Sequence, residues 1–114
     1  MSSTDTINAL LCGVSVVRRI QFDCELRTGR CTLQLDLVDD GVRPTQRRVL
    51  RAEGVTHWNV AELGGGLTQL CDLHVSDVSH LQHDRVRYLL EERERGALRL
   101  WCALLSVEDA PLDP

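Results

Sequence analysis

Hydrophobic and polar residues alternate along two stretches of the chain, and a turn interrupts each stretch. In the first stretch the apolar positions are Val16, Ile20, Phe22, Cys24 and Leu26 before the turn, and Cys31, Leu33, Leu35 and Leu37 after it. Alternation with a period of two is typical of a half-buried β-strand. We therefore expect a β-hairpin at this position, with Thr28 and Gly29 as its two-residue turn.

This turn also predicts the register of the first hairpin. A two-residue loop at Thr28 and Gly29 gives the apolar pairs Leu26–Cys31, Cys24–Leu33, Phe22–Leu35 and Ile20–Leu37. A shift of one residue would place these apolar side chains opposite polar ones, so the turn and the pattern favour one pairing.

The second alternating stretch predicts a hairpin closed by Glu94, Arg95 and Gly96, with Gly96 in the left-handed conformation. With Arg93 opposite Ala97 at the turn, the expected pairs are Leu90–Leu100, Tyr88–Cys102 and Val86–Leu104 on one face, and Glu91–Arg99 and Leu89–Trp101 on the other. Because Leu89 and Trp101 are both large and apolar, we expect the N-terminal helix or a partner to cover part of that second face.

The other segments complete a mainly β organisation. Residues 3–12 predict a short N-terminal helix, with N-cap oxygens at its start and Gly13 at its end. Residues 47–55 predict a strand, placed at a sheet edge because arginines occupy both of its faces. Residues 57–66 predict a loop, with at most one helical turn.

Residues 67–78 predict a further strand, followed by one helical turn at Ser79. The whole is about six antiparallel strands in meander order with one short helix, an α+β fold that is mainly β. A curved sheet, a partial barrel and a small sandwich all fit this pattern. We expect a single domain over residues 1–114, with a β domain at 14–107 and a frayed acidic tail at 108–114.

Composition favours a soluble, cytoplasmic protein. The chain has 114 residues, of which 43% are hydrophobic and 26% charged, and it has no run long enough for a membrane helix. Its five cysteines, an odd number without CxxC spacing, are interpreted as free thiols, most of them buried, rather than as a disulfide set. All 13 basic residues are arginine, which suggests a bacterial, GC-rich coding background.

The net charge of -4 makes nucleic acid an unlikely partner, since the molecule as a whole repels polyanions. The main basic concentration is Arg43, Arg47, Arg48 and Arg51, and no aromatic residue interleaves with it. Single-strand binders need such stacking platforms. If these arginines form a contact surface, an acidic protein is as good a partner as a nucleic acid.

Residues 71–84 contain several metal-ligand side chains, but their spacing makes a weak site. Cys71 and His74 are three apart on a predicted strand and point to opposite faces, which leaves His74, His80, His83 and Asp84 as weak candidates. A solvated turn explains them better. No metal or other cofactor is therefore expected.

Two further motifs are weaker still. Gly64–Gly66 offers backbone N–H groups to an anion, but it lacks the ending of a P-loop and fits a flexible connection. Asp72 and His74 share a strand face, and a hydrolase that uses this pair is a third functional hypothesis. A surface charge pair accounts for them better.

The absence of a catalytic set favours a non-enzymatic accessory protein that binds another protein or a second copy of itself. Immunity-type proteins are comparable in size, charge and compartment only. The side chains expected at the partner surface are Trp58, Trp101, Leu89, Arg47 and Arg51. The alternative is a small-molecule or metal-binding β-barrel with its cavity between the sheet and the N-terminal helix.

Overall fold

The computed structural model describes residues 3–60, 69–81 and 86–112. In chain order the elements are helix α1 (Ser3–Leu11), strands β1 (Val16–Cys24), β2 (Cys31–Val38), β3 (Arg47–Glu53), β4 (Thr56–Val60) and β5 (Leu73–Asp77), a 3-10 turn (Ser79–Leu81), and strands β6 (Tyr88–Glu92), β7 (Leu98–Cys102) and β8 (Leu104–Asp109). The helix and the helical turn at Ser79 were both predicted from the sequence.

The strands form two antiparallel four-stranded sheets. Sheet A has the order β1-β2-β3-β8, and sheet B has the order β4-β7-β6-β5. Buried side chains from both sheets form one hydrophobic core. The mainly β class is confirmed, whereas the count of about six strands was too low and the described strands do not close into a barrel.

The two sheets are connected at a corner formed by Gly54 and Ala103. β3 continues into β4 through Gly54, and β7 continues into β8 through Ala103. The backbone N–H of Ala103 donates to the carbonyl of Glu53 at 2.9 Å. Gly54 has φ of 68°, and a Cβ added there would lie 3.0 Å from the Ala103 Cβ, so the corner requires glycine. Strands that bend between sheets in this way form the corners of two-sheet folds.

The β1–β2 hairpin exists, but its register differs from the predicted one by two residues. Cys24 pairs with Cys31, Phe22 with Leu33 and Ile20 with Leu35. The loop is longer than two residues: the Gly29 N–H donates to the Glu25 carbonyl at 2.8 Å, and Gly29 has φ of 70°. Leu26, expected in the core, is therefore 98% exposed at the hairpin tip.

A bulge at Arg18 changes the faces at the start of β1. Val17 pairs with Leu37 and Arg19 with Asp36, which leaves Arg18 as the extra residue. A bulge reverses the alternation on its strand. Val16 consequently lies on the face opposite Ile20, although the sequence pattern placed both on one face.

The β6–β7 hairpin has the predicted register, with four predicted pairs present in its ladder: Tyr88–Cys102, Leu89–Trp101, Leu90–Leu100 and Glu91–Arg99. Gly96 has φ of 68°, as expected for the turn. The predicted Val86–Leu104 pair is wrong, because the chain leaves sheet B at Ala103 and Leu104 pairs with Glu53 in sheet A.

Strand β3 is central rather than at an edge, so that prediction was wrong. It lies between β2 and β8, and two of its arginines pair with acids on those neighbours. Arg47 donates to both carboxylate oxygens of Asp36 at 2.8 Å, and Arg48 donates to Asp109 at 2.8 Å. Opposite charges on adjacent strands make an arginine-rich sequence compatible with a central position.

The segment after the corner is strand β4, where the sequence predicted a loop. His57 has φ of 52°, and the β4–β7 register shifts between Thr56 and Asn59, so a bulge obscures the alternation at this point. The remainder of the predicted loop, including Gly64–Gly66, lies outside the described residues.

The predicted strand over residues 67–78 is shorter in the structure, because β5 begins at Leu73. Gln69 forms an isolated bridge with Val16, and Cys71 and Asp72 lie in a turn. At the other end of the chain, β8 extends through Glu108 and Asp109, two residues into the segment predicted as tail.

Helix α1 packs at the edge of β5 instead of on the Leu89–Trp101 face. Ile7 and Leu11 enter the core. The Asn8 side chain accepts from the Val75 N–H at 2.8 Å and donates to the Val75 carbonyl at 2.9 Å, as a neighbouring strand would do. This contact protects the backbone of an edge strand, and it leaves the outer face of sheet B uncovered by the helix.

Glu92 is a buried carboxylate that organises the β6–β7 turn. It is 3% exposed and accepts backbone N–H bonds from Arg95 at 2.8 Å, Glu94 at 3.2 Å, Asp72 at 3.3 Å and Ala97 at 3.4 Å. Burial raises the pKa of Glu92, but these four donors lower it more, so the pKa lies below its ordinary value.

Replacing Glu92 with glutamine should destabilise the protein by about 1–3 kcal/mol at pH 7, because the four backbone N–H groups lose a charged acceptor and two of them face an amide NH2 instead of an oxygen. A lowered folded-state pKa gives stability that is present above the unfolded pKa and is lost as the pH falls through the folded value. Urea unfolding should therefore show a large difference between wild type and E92Q at neutral pH and a smaller one in acid. The exposed Glu94→Gln is the matched control, and an unchanged E92Q would contradict the assignment.

Candidate functional surface

The outer face of sheet B carries two large apolar side chains that lie outside the core. Leu89 and Trp101 are directly opposite each other across β6 and β7, and both are half-buried. Neither belongs to the core or to the residues that pack against it. The His57 ring meets the Trp101 ring edge-on, with 6.4 Å between centroids. These three residues, His57, Leu89 and Trp101, are called the Trp101 patch below.

Strand alternation explains why the Trp101 patch faces outward. On β7, Leu98, Leu100 and Cys102 are fully buried, so the residues between them, Arg99 and Trp101, lie on the opposite face. On β6 the same rule directs Leu89 outward. The sequence pattern therefore predicted correctly that Leu89 and Trp101 share this face. It did not predict whether the helix or a partner covers them.

Polar residues surround the Trp101 patch. Glu91 and Arg99 are opposite each other in the β6–β7 ladder, and Asn59 pairs with Arg99 from β4. On β5, the Ser76 Oγ lies 3.4 Å from the His74 Nδ1. An apolar centre with a rim of mixed polar groups is the general composition of a protein-binding surface.

Trp58, the other tryptophan, has a different environment. Its ring stacks on Phe22, with 5.0 Å between centroids and 14° between planes, and it packs against the core. Trp58 therefore connects β4 of sheet B with β1 of sheet A. The structure does not bring it together with Trp101.

Arg47 and Arg51 also lie away from Trp101, on sheet A. Arg47 is bonded to Asp36 through two nitrogens and donates to the Pro111 carbonyl at 2.9 Å. The bond to Asp36 raises the pKa of Arg47. Arg51 is exposed and lies 3.5 Å from Glu53. The five residues predicted at one partner surface thus occupy three separate places.

The weak metal candidates are only partly described. His74 is half-buried on β5 and His80 is exposed in the 3-10 turn, whereas His83 and Asp84 lie outside the described residues. Within residues 3–60, 69–81 and 86–112, no cluster of three or more ligand side chains is suited to a metal ion. Cys71, expected in the core, is exposed.

Asp72 and His74, the acid–base pair of the hydrolase alternative, have different neighbours. The Asp72 carboxylate accepts from Arg93 at 3.3 and 3.4 Å. The His74 ring faces Ser76 instead. Asp72 lies in the turn before β5 rather than on the strand, because that strand begins later than predicted.

Two cysteines form a disulfide, which the sequence pattern did not predict. Cys24 and Cys31 are directly opposite across β1 and β2, with Cα atoms 4.1 Å apart, and their sulfur atoms are bonded. Cys12 and Cys71 are exposed free thiols, and Cys102 is buried. The two-residue register shift explains the error, because the predicted register opposed Cys24 to Leu33 and Cys31 to Leu26.

A surface pocket of about 450 Å³ lies between the start of β1 and the β2–β3 loop. Its walls combine apolar side chains with one cation and one anion: Val16, Val17, Val38, Pro44 and Leu112, with Arg18 and Asp40. The pocket opens on sheet A, not between the sheet and α1, where Ile7 and Leu11 fill the interior.

His57 was not predicted as a neighbour of Trp101. The segment containing it was predicted as a loop, and the bulge at this residue interrupts the alternation that marks a strand. The sequence did contain one signal for a strand here: Trp58 and Val60 are two residues apart, the spacing of apolar side chains on one face of a strand.

Comparison with protein-family models, with curated proteins and with solved structures gave no significant match. Among the described residues, no helix has the length and apolar character needed to cross a membrane. The support for a function therefore comes from the geometry of the chain itself.

Thiol labelling should separate the five cysteines into three classes. Without reductant, Cys12 and Cys71 should react quickly, and Cys102 only after unfolding, because burial raises its pKa to about 12 and thiolates are the reactive form. Cys24 and Cys31 should react only after reduction. Five reactive thiols in unreduced, unfolded protein would contradict the disulfide.

Proposed function

We propose that this chain is a non-enzymatic protein that binds another protein through the outer face of sheet B. The observation that supports this proposal is the position of Trp101 beside Leu89, outside the core and on a face that α1 does not cover. Tryptophan is strongly enriched among the residues that dominate binding energy at protein interfaces.

The chemistry of the face indicates the kind of partner. Leu89 and Trp101 offer an apolar contact, and the rim offers Arg99 and Glu91 in opposite charge. A partner that inserts an apolar side chain beside Trp101 and has polar groups for the rim fits this surface. Together with the net charge of -4, the mixed rim does not favour a polyanion.

A more specific form of the proposal is an immunity-type role, in which the bound protein is a toxin. The small size and negative net charge of the chain support this form. The binding face is the same in both forms.

Truncation of Trp101 should weaken partner binding without unfolding the protein. In a quantitative pull-down with purified bait, W101A should bind the captured partner at least about thirtyfold more weakly than wild type, as for a central interface tryptophan. L89A should have a smaller effect in the same direction. Circular dichroism and thermal melting should show that both variants fold, because neither residue is in the core.

Trp58→Phe is the matched control, since phenylalanine can keep the stack on Phe22. In this variant Trp101 is the sole tryptophan, and its emission should shift to shorter wavelength when the partner binds. A partner retained equally by W101A, or a wild-type bait that captures nothing, would contradict the proposal.

The pocket between β1 and the β2–β3 loop favours small-molecule binding as a second candidate. Its volume is within the usual range for ligand sites, and its lining is apolar with a few polar groups. Anilinonaphthalene sulfonate, an apolar anion, is a suitable fluorescent probe. Saturable binding should be lost in Pro44→Trp, which places a bulky ring in the pocket from its exposed wall, and retained in Val42→Trp on the same loop. Equal binding by both variants would exclude the pocket as the site.

A further inference from the structure

The outer edge of β1 has no neighbouring strand among the described residues. β1 is the first strand in the order of sheet A, and the Val16–Gln69 bridge covers only its beginning. The segment Arg19–Asp23 continues beyond this bridge with exposed or half-buried side chains. Phe22 is 40% exposed. An open edge of this length can accept another strand.

The β1–β2 ladder shows which backbone groups face the open edge. The Cys31 carbonyl accepts from Val55 at 3.0 Å, so Cys31 directs its backbone toward β3 and Cys24–Cys31 is a non-hydrogen-bonded pair of the hairpin. Pairs alternate along an antiparallel ladder. Ile20 and Phe22 therefore direct their N–H and C=O groups away from β2, toward the open edge.

Side chains along this edge are self-complementary about Gln21. In an antiparallel pair of two copies centred on Gln21, Arg19 is opposite Asp23 of the second copy, and Ile20 is opposite Phe22. The Ile20–Phe22 pairs are hydrogen-bonded, because both residues direct their backbone groups outward. The Arg19–Asp23 pairs are then non-hydrogen-bonded, the class in which facing side chains are closer.

Other registers are less favourable. Outward backbone groups occur only at every second residue, so the neighbouring registers are centred on Ile20 or Phe22. The first opposes Arg19 to Gln21 and leaves Asp23 without a cation. The second pairs Arg19 with Glu25, beyond the end of β1. The register on Gln21 uses the segment from Arg19 to Asp23 symmetrically.

We propose that this chain forms a two-fold symmetric homodimer in which β1 pairs with β1 of a second copy, centred on Gln21. The dimer joins the two A sheets into one continuous sheet. Within the described part of the chain neither Arg19 nor Asp23 forms an ion pair, and the dimer places each of them opposite a charge of the other sign. The adjacent Cys24–Cys31 bond fixes the end of the strand and holds its edge in place.

Charge reversal tests the register directly, with sedimentation velocity over a concentration series as the measurement. Wild type should shift from monomer to dimer. D23R places arginine opposite Arg19 in both pairs and should weaken dimerisation roughly thirtyfold, and R19E should do the same with carboxylates. R19E also places a carboxylate opposite Asp36 in its own chain, so D23R is the primary variant.

An equimolar mixture of D23R and R19E tests whether residues 19 and 23 face each other across the dimer. Each variant alone has only like charges at the two sites, but the mixed pair has opposite charges at both, so a heterodimer should form. Arg43→Asp in the exposed β2–β3 loop is the matched control and should dimerise like wild type. Circular dichroism of each variant establishes that it is folded.

Three outcomes would overturn the proposal. They are a wild-type chain that stays monomeric at every concentration, a D23R dimer as stable as the wild-type dimer, and a mixture that fails to form the heterodimer. Binding of an extended peptide of another protein at this edge by a monomeric wild type would overturn it as well.

Discussion

The close approach of Gly54 and Ala103 determines how the two sheets are joined into one fold. At this point β3 of sheet A continues into β4 of sheet B, and the antiparallel neighbour β7 of sheet B continues into β8 of sheet A. The Ala103–Glu53 hydrogen bond maintains their pairing through the bend. A Cβ at residue 54 would lie only 3.0 Å from the Ala103 Cβ, so the backbone would have to shift slightly, and the φ of 68° would strain any residue other than glycine. With the bend in place, the buried leucines of β2 and β3 face those of β6 and β7 across one core. The outward directions of Arg19 and Trp101 follow from the same alternation.

Charge pairing between neighbours explains how the arginine-rich β3 can occupy a central position. The guanidinium of Arg47 donates two hydrogen bonds to the carboxylate of the buried Asp36 on β2. The guanidinium of Arg48 donates to Asp109 on β8 and to the Leu10 carbonyl of α1. Bidentate bonds of this kind satisfy both partners when water is partly excluded. Arg47 and Arg48 therefore connect β3 to β2, β8 and α1.

Local alternation predicted the faces of the strands well, but it could not predict long-range pairing. In β6–β7 the three-residue turn with Gly96 fixed the register, and the Leu89–Trp101 pair was found as expected. In β1–β2 the true register from Arg19 onward differs by two residues, and a shift of two leaves the side chains on the same faces, so the hydrophobic pattern could not detect the error. The central position of β3 depends on β8, about 55 residues later in the chain. No local pattern contains that information.

The same limit applies to the candidate surfaces. Alternation placed Trp101 on the second face, but only the position of α1, fixed by Asn8 and Val75, shows that the helix does not cover it. Bulges explain two other errors, the missed strand that contains His57 and the wrong face predicted for Val16. An inserted residue exchanges the two faces of the strand from that point, so alternation no longer predicts which side chains point inward. The disulfide was missed for a related reason, since a pairing error of two residues separates Cys24 from Cys31.

The two proposed contact regions lie on different sheets. The edge of β1 belongs to sheet A, whereas the Trp101 patch is on the outer face of sheet B. A dimer formed through β1 would carry two equivalent Trp101 patches related by the two-fold axis. Linking two sites in this way raises the avidity for a partner that is itself dimeric or repeated, without any new contact. A weak contact at each patch would then suffice for stable capture, and loss of the β1 pairing would reduce binding even though Trp101 remained intact.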